Sequence, residues 1–439
     1  MRDCRDGQRL MLAHFPPGSD RWLFGLCLSR VGAFMVYISY AAALPVLQLE
    51  WQMSGTAAGS IASAFQIAYA VSLLACSELA DRVGARRVFL ASSGASAVGA
   101  MLFAAFARDY WSGLLWYTLL ALALGGTYTT GILLVADNIP VTRRGRAMGF
   151  LLGGHSLGLA LALAITGMAI PRGGYRLAFF LTCLGPVLGG ILVWTVTRDT
   201  PNQVAQRTAA ERLTGAVLRN RPAMLVIAGY TCHSWELLGM WAWTPAFLAA
   251  CFVAAGSGAT HAAGLGSYVS SLFHITGMLA SLIAGVVADR FGRTSVIFAM
   301  ATLSTMCSIG FGWLIGGPVW VVVAVGLVYG FAALGDSPIY STAITEVVAP
   351  AYRGAALALR SLAGFGAGAA APLVFGWVLD LYGSGRGAEG GWGWAFGTLA
   401  IAGAMAAVSA VVLHRLPEAR SLHLHARHRT IVNLSKPGG

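Results

Sequence analysis

Residues 77–89 read SELADRVGARRVF, and residues 285–297 read GVVADRFGRTSVI. At a constant offset of 208, Asp81 falls on Asp289, Arg82 on Arg290 and Gly84 on Gly292. Each stretch is a short charged interruption between two long apolar runs. A turn of two to four residues between helices needs a backbone conformation free of Cβ clash, which Gly84 and Gly292 supply. Asp81 and Asp289 stand where a carboxylate can accept backbone N–H bonds at a neighbouring helix start and oppose its positive dipole end. Arg293, which closes the second copy, is matched in the first by Ala85 and then Arg86.

The runs around these turns set the fold class. The chain has 439 residues, of which 57% are hydrophobic and 10% charged, with a mean hydropathy of +0.70. Soluble domains carry about 25% charged residues, so this chain has too little polar surface to face water. A helix needs about 20 apolar residues to cross a ~30 Å hydrocarbon core. Reading between charged and turn-rich breaks gives twelve such spans: 22–47, 56–77, 88–107, 112–136, 146–169, 177–196, 223–251, 264–287, 295–315, 318–342, 355–378 and 393–413. The first is too long for the apolar core of a cleaved leader. The longest polar interruption, 198–221, divides six spans from six. The expected organisation is an all-α membrane protein with a six-helix bundle at 1–197, a linker at 198–221, a second bundle at 222–414 and a tail at 415–439.

Two further landmarks repeat. DNIPVTRRG (137–145) matches EVVAPAYRG (346–354) at an offset of 209, placing Asp137 on Glu346, Arg144 on Arg353 and Gly145 on Gly354. GYRLAF (174–179) matches GWGWAF (391–396) at 217. Three matches in one order describe a duplicated six-helix unit whose halves run parallel about an axis along the membrane normal.

The arginines give the orientation. Loops after even-numbered spans, with both termini, hold 23 of the 29 Lys and Arg residues. The opposite side holds four, Arg108, Arg172, Arg176 and Arg386, and two more, Arg30 and Arg360, lie inside spans. The positive-inside rule puts both termini in the cytoplasm and the protein in the inner membrane. This distribution explains the net charge of +12 without nucleic acid. Seven scattered cysteines show neither paired nor metal-ligand spacing. No cofactor is expected, since no GxxxxGK[ST] phosphate cradle appears, and neither GxSxG nor HExxH suggests an enzyme.

The doubled turn G-x-x-x-D-R-x-G-R/K resembles the signature of the major facilitator superfamily. Gly285, Asp289, Arg290, Gly292 and Arg293 match it fully, and the first copy departs at Ser77 and Ala85. The resemblance covers essentially the whole chain and implies a twelve-helix secondary transporter working by alternating access. It implies that a charge cluster of Asp81, Arg82, Asp137, Arg144, Asp289, Arg290, Arg293, Glu346 and Arg353 holds the cytoplasmic side closed in one state. A static cap that also marks topology is the alternative reading. Small-residue spacing in span five (Gly149, Gly153, Gly154, Gly158) and span eleven (Gly364, Gly368) allows close backbone approach, for sliding or for packing alone. The Gly-Pro pair usual in span five of drug–proton antiporters is replaced by Gly154 and His155.

Ionisable groups inside lipid are costly and usually face a cavity or a partner. In YTCHSWELLGMWAW (230–243), His233, Glu236, Met240 and Trp243 fall on one helical face within about 80°, and that face is expected to line a central water-filled cavity. Trp235 and Trp241 point elsewhere and are read as packing or interfacial. The segment resembles span seven of facilitators grouped with the cyanate and nitrate porters. The matched polar pair here, Gln66 and His274, departs from the arginine pair of the nitrate porters. Arg30, with Tyr37 on its face, and Arg360 have no ionisable counterpart in the other half, as an asymmetric solute would require. Each can bind an anion through its guanidinium fork, or can form an ion pair with Asp336 or Glu236 that only fixes packing. His155 is either a site residue or a satisfied buried histidine. The candidate solute site is thus Arg30, Tyr37, Gln66, His155, Trp243, His274 and Arg360, with His233, Glu236 and Asp336 as candidates for proton coupling, because imidazole titrates near neutral pH.

The expected function is transport of a small organic or inorganic anion coupled to protons. Export of amphiphilic toxic compounds is the alternative within transport, and a non-transporting sensor is the alternative outside it. The partners are the solute, protons and the bilayer, and a monomer is compatible with the pattern. The linker is expected to carry an amphipathic helix on the cytoplasmic face through Val204, Leu213, Val217 and Leu218. The four-histidine tail, 414–429, reads as a basic segment near anionic lipid.

Overall fold

A computed structural model describes residues 15–204, 213–349, 352–383 and 388–422. Among these the chain is helical, with no strand. The helices are α1 (Asp20–Phe34), α2 (Ser39–Glu50), α3 (Gly55–Val83), α4 (Ala85–Phe106), α5 (Tyr110–Asn138), α6 (Val141–Val196), α7 (Leu213–Leu218), α8 (Arg221–Ala254), α9 (Ala259–Phe291), α10 (Arg293–Phe311), α11 (Val319–Gly335), α12 (Ser337–Val347), α13 (Arg353–Gly383) and α14 (Ala388–Arg415). Eleven helical segments among the described residues are long and apolar enough to cross a membrane. One of them, α6, crosses twice, because its backbone breaks at Gly173 (φ −155°, ψ 20°) and Gly174 (φ 65°, ψ −165°). The twelve spans are therefore present, with spans five and six joined by a two-residue turn. Large apolar side chains such as Phe24, Leu188, Val286 and Ile401 stay exposed along the spans, as a lipid-facing surface requires.

Two spans are broken where the sequence reading expected continuous helix. The first parts at residues 35–38, where three successive bonds reach back only three residues: Met35 to Gly32, Tyr37 to Phe34 and Ser39 to Val36. The tenth parts at Asp336, between α11 and α12, just before Pro338, which brings no backbone N–H. Helix starts follow ordinary capping: Ser19 accepts from the Trp22 N–H, Ser54 from Ala57 and Asn220 from Ala223. In the loop before α5, Asp109 accepts the Ser112 N–H, which holds its carboxyl below the usual range.

Within the first half α1 packs on α6, and α3 and α4 on α5; within the second, α8 packs on α13, α10 on α14 and α9 on α11. The halves meet through α6 with α9 and through α3 with α13. These are spans five with eight and two with eleven, equivalent pairs under the internal repeat.

The two ends of the molecule differ. At the end carrying the short turns, here called the basic end, Gly84 (φ 95°) and Gly292 (φ 90°) take the left-handed conformation that glycine alone adopts freely. At the far end the halves touch backbone to backbone. A Cβ on Gly167 would stand 2.7 Å from the Gly264 carbonyl, and one on Gly55 2.6 Å from that of Gly376. Asp380 on α13 accepts from Gly55 N (2.6 Å), Thr56 N (2.7 Å) and Thr56 Oγ1 (2.6 Å) at the start of α3.

The linker reading is described only in part. Leu213–Leu218 is one short helix with Val217 buried and Leu218 exposed; residues 205–212 lie outside the described residues. So do residues 423–439, which hold three of the four tail histidines, and so does Arg386.

Candidate functional site

Between the two halves lies a cavity of about 290 Å³. The first half lines it with Tyr37, Tyr69, Tyr128, Gly149, Leu152, Gly153, His155 and Ser156. The second contributes mainly Tyr230, Ser234, Leu237, Leu238, Trp241, Ser281, Leu282, Ser337, Ser341, Arg360 and Phe365. Gly149 and Gly153 have no atom within 4 Å of an added Cβ, because they face this space. The cavity thus reaches toward the basic end, to Gly149 in the third turn of α6 and Leu282 in the last three turns of α9.

Among the described residues Arg360 is the one arginine or lysine in this lining. Its Nη1 donates to Ser341 Oγ (2.5 Å), its guanidinium lies 4.1 Å from the centre of the Tyr230 ring, and its Nε has no partner. Arg30 sits behind the wall. It is 3% exposed, with its guanidinium 4.8 Å from the Phe34 ring and 4.9 Å from the Tyr128 ring, and Nε and Nη2 have no partner. Among the described residues neither arginine forms an ion pair with Asp336 or Glu236, so the pairing offered by the sequence is not made.

Tyr37 stands in the break of the first span and donates to Gln66 Oε1 (2.8 Å). Its ring meets Tyr69 edge-on at 5.4 Å and His155 at 5.6 Å. Gln66 lines a small side pocket with Tyr37 and Trp241. The Trp241 indole lies between two imidazoles, His155 at 6.4 Å and His274 at 5.1 Å. His274 is therefore one layer behind the cavity.

The expected orientation of α8 is corrected. The cavity face is Tyr230, Ser234, Leu237, Leu238 and Trp241. The face carrying His233, Glu236, Met240 and Trp243 is offset from it by one residue, about 100°, and is buried within the second half. Trp243 is fully buried, donates Nε1 to the Pro372 carbonyl (3.0 Å) and stacks on Phe375. Trp241, read as packing or interfacial, takes the place at the wall. His233 and Glu236 do not pair either. His233 Nδ1 lies 3.0 Å from Asp336 Oδ1, close but without the alignment of a hydrogen bond, and Nε2 lies 3.0 Å from Ser337 Oγ, a cavity hydroxyl. Glu236 accepts from Ser304 Oγ (2.9 Å) on α10 and lies beside Gly403 of α14, away from the cavity.

At the basic end Arg293 joins Asp289 (2.6 Å) and Glu346 (3.5 Å). Arg353 donates to the Thr345 carbonyl, and Arg144 to that of Ile139. Arg82 pairs with Glu78, and Arg290 lies over the Phe291 ring. Asp81 and Asp137 are also engaged. The sequence reading passed over Tyr69, Tyr128, Tyr230, Phe365, Ser337, Ser341 and Asp380. Of these only Asp380, a charge at the end of an apolar run, stood out in the sequence.

A family model described as Major Facilitator Superfamily matches residues 26–261 and 252–436. The chain belongs to the Major Facilitator Superfamily. It is a multi-pass membrane protein of a transporter family, not an enzyme. A probable 4-methylmuconolactone transporter of Cupriavidus pinatubonensis is 24% identical over 66% of this chain and 68% of its own length. A probable sulfoacetate transporter of Cupriavidus necator is 24% identical, covering 82% and 87%. The gallate transporter of Pseudomonas putida is 27% identical over 40% of this chain and 38% of its own. Among solved structures, the nucleoside transporter NupG superposes with a TM-score of 0.71 at 17% identity, over 90% of this chain and 99% of that one. A bacterial homolog of the human lysosomal transporter Spinster, inward-facing and unoccupied, gives 0.70 at 15%, over 92% and 98%. At such identities these two show a common superfamily fold.

Proposed function

We propose that this superfamily member moves a small anion across the inner membrane, coupled to protons, by alternating access. One observation carries the reading: Arg360 faces the cavity between the halves with no carboxylate among the described residues to neutralise it. A guanidinium kept in a low-dielectric chamber without a counter-ion favours an anionic ligand there. Relatives named for gallate, sulfoacetate and 4-methylmuconolactone agree with an anionic solute. Arg360, His155 and Tyr37 contact the solute in this account, with Gln66 supporting Tyr37 and His274 supporting Trp241. Arg30, behind Tyr128, adds positive potential.

His233 is the coupling group. Its link through Ser337 Oγ gives a one-hydroxyl path from the cavity to the His233–Asp336 pair, and Glu236 supplies a second buried carboxyl. Bundles 1–197 and 222–414 rock about the linker 198–221, and the tail from 415 stays with the termini on the cytoplasmic side, following the arginine distribution. The cavity reaches toward the basic end, which the arginine distribution assigns to the cytoplasm, and in this account the charge cluster around Arg293 and Glu346 tightens when that side closes. The aromatic wall would suit amphiphilic export, but the uncompensated Arg360 favours anions.

The test is purified protein in liposomes with an imposed pH gradient and a panel of small anions. Gradient-dependent anion flux is expected. Flux of hydrophobic cations with none for any anion overturns the reading.

A further inference from the structure

We infer that the solute is a ring-bearing monocarboxylate, with its carboxylate on Arg360 and its ring held flat among Tyr69, Tyr230 and Phe365. This rests on reading the cavity as the solute site, and three features of the cavity then narrow the class.

Size comes first. At about 290 Å³ the cavity is many times the ~10–15 Å³ of such space that holds one water, which leaves room for a single-ring solute such as a benzoate.

Charge comes second. Among the described residues Arg360 is the one arginine or lysine in the lining and no Asp or Glu side chain lines it, so this wall offers one full positive charge at one place. A dianion would bury its second charge without a partner, at high cost. A neutral solute would leave the guanidinium uncompensated. One carboxylate satisfies both.

Shape comes third. Tyr230 stacks under the Arg360 guanidinium at 4.1 Å, fixing the fork's plane while Ser341 occupies Nη1. Nε is buried without a partner and Ser341 takes one N–H of Nη1, so the donor capacity left for an incoming carboxylate is at the Nη2 end of the fork. Phe365 lies five residues further along α13, about 7.5 Å deeper, and meets Tyr69 of the opposite half edge-on at 5.9 Å. A ring attached to a carboxylate on Arg360 therefore falls level with an aromatic pair drawn from both halves. Aromatic faces there favour an aromatic ring over a saturated ring of equal size and charge. Contact with both halves at once is what couples solute binding to their relative motion.

The experiment is titration calorimetry on the purified full-length chain in nanodiscs with five probes: benzoate, cyclohexanecarboxylate, benzamide, terephthalate and acetate. Benzoate is expected to bind about tenfold tighter than cyclohexanecarboxylate, and at least tenfold tighter than benzamide or terephthalate. Phe365→Leu narrows the benzoate preference over cyclohexanecarboxylate to about twofold while both still bind. Arg360→Gln abolishes benzoate binding with an unchanged thermal unfolding profile, and Arg360→Lys retains part of it, which separates charge loss from misfolding. Equal binding of benzoate and cyclohexanecarboxylate overturns the aromatic assignment, and tighter binding of terephthalate overturns the single charge. Either result leaves the anion-transport reading standing. Binding of none of the four carboxylate and dicarboxylate probes, with benzamide bound, removes that reading as well.

Discussion

The far end and the basic end of the molecule are held in opposite ways. At the far end the attachments cross between the halves: Asp380 of α13 caps α3, Gly55 meets Gly376, Gly167 meets Gly264, and Ser267 Oγ donates to the Ala42 carbonyl. At the basic end the ion pairs Arg293–Asp289, Arg293–Glu346, Arg82–Glu78 and Arg143–Asp20 each stay inside one half. The difference separates two jobs. Backbone-to-backbone contact through glycine closes one mouth without side chains in the way, and a carboxylate on a helix start makes that closure directional. The four named pairs at the other mouth each lie within one half, which in the proposed cycle stiffens that mouth and leaves it free to open.

Three substitutions break or sharpen this contrast, in falling order of effect. Gly167→Leu places a side chain where a Cβ already stands 2.7 Å from the Gly264 carbonyl. The far end should then fail to close, and flux in liposomes should drop about a hundredfold, in line with overpacking costs. Near-normal flux would mean that this contact is not part of the cycle. Asp380→Asn removes the charge from three short bonds at the start of α3. Charge-assisted bonds exceed neutral ones by about 1 kcal/mol each, and Asn keeps one acceptor oxygen, so far-end opening should become at least tenfold easier, read as faster maleimide labelling of a cysteine at Ala57. Unchanged labelling would show that Asp380 caps α3 without latching the halves. Asp289→Asn breaks a pair in which Asp289 is more than half exposed, so its loss should cost only about two- to fivefold in flux with membrane insertion intact. Undiminished flux would reduce the basic-end cluster to a static cap.

The same contrast explains what could be read from the sequence. The twelve spans were legible because apolar length and the doubled Asp-Arg-x-Gly turn are local signals. Arg360, His155 and Tyr37 were legible because a polar group inside lipid stands out against its neighbours. The rotation of α8 was not. Spacing fixes the angle between His233 and Trp241, but not which of their faces meets the cavity. The polar face of α8 turns inward because Ser304, Ser337 and Asp336 of its own half are there to receive it. The break at residues 35–38 carries no proline, and Asp380 finds its partner 325 residues away. Neither leaves a trace in a local window.

The claim beneath all of this is that one chamber between two bundles opens at its two ends in turn. Spin-label distances by pulsed electron resonance test it most directly, with Thr142→Cys and Phe291→Cys spanning the basic end and Leu49→Cys and Tyr382→Cys spanning the far end, measured with and without a transported anion at two pH values. The account predicts reciprocal change: conditions that shorten the basic-end distance lengthen the far-end one. Two distances that rise and fall together, or neither moving while flux proceeds, would contradict it.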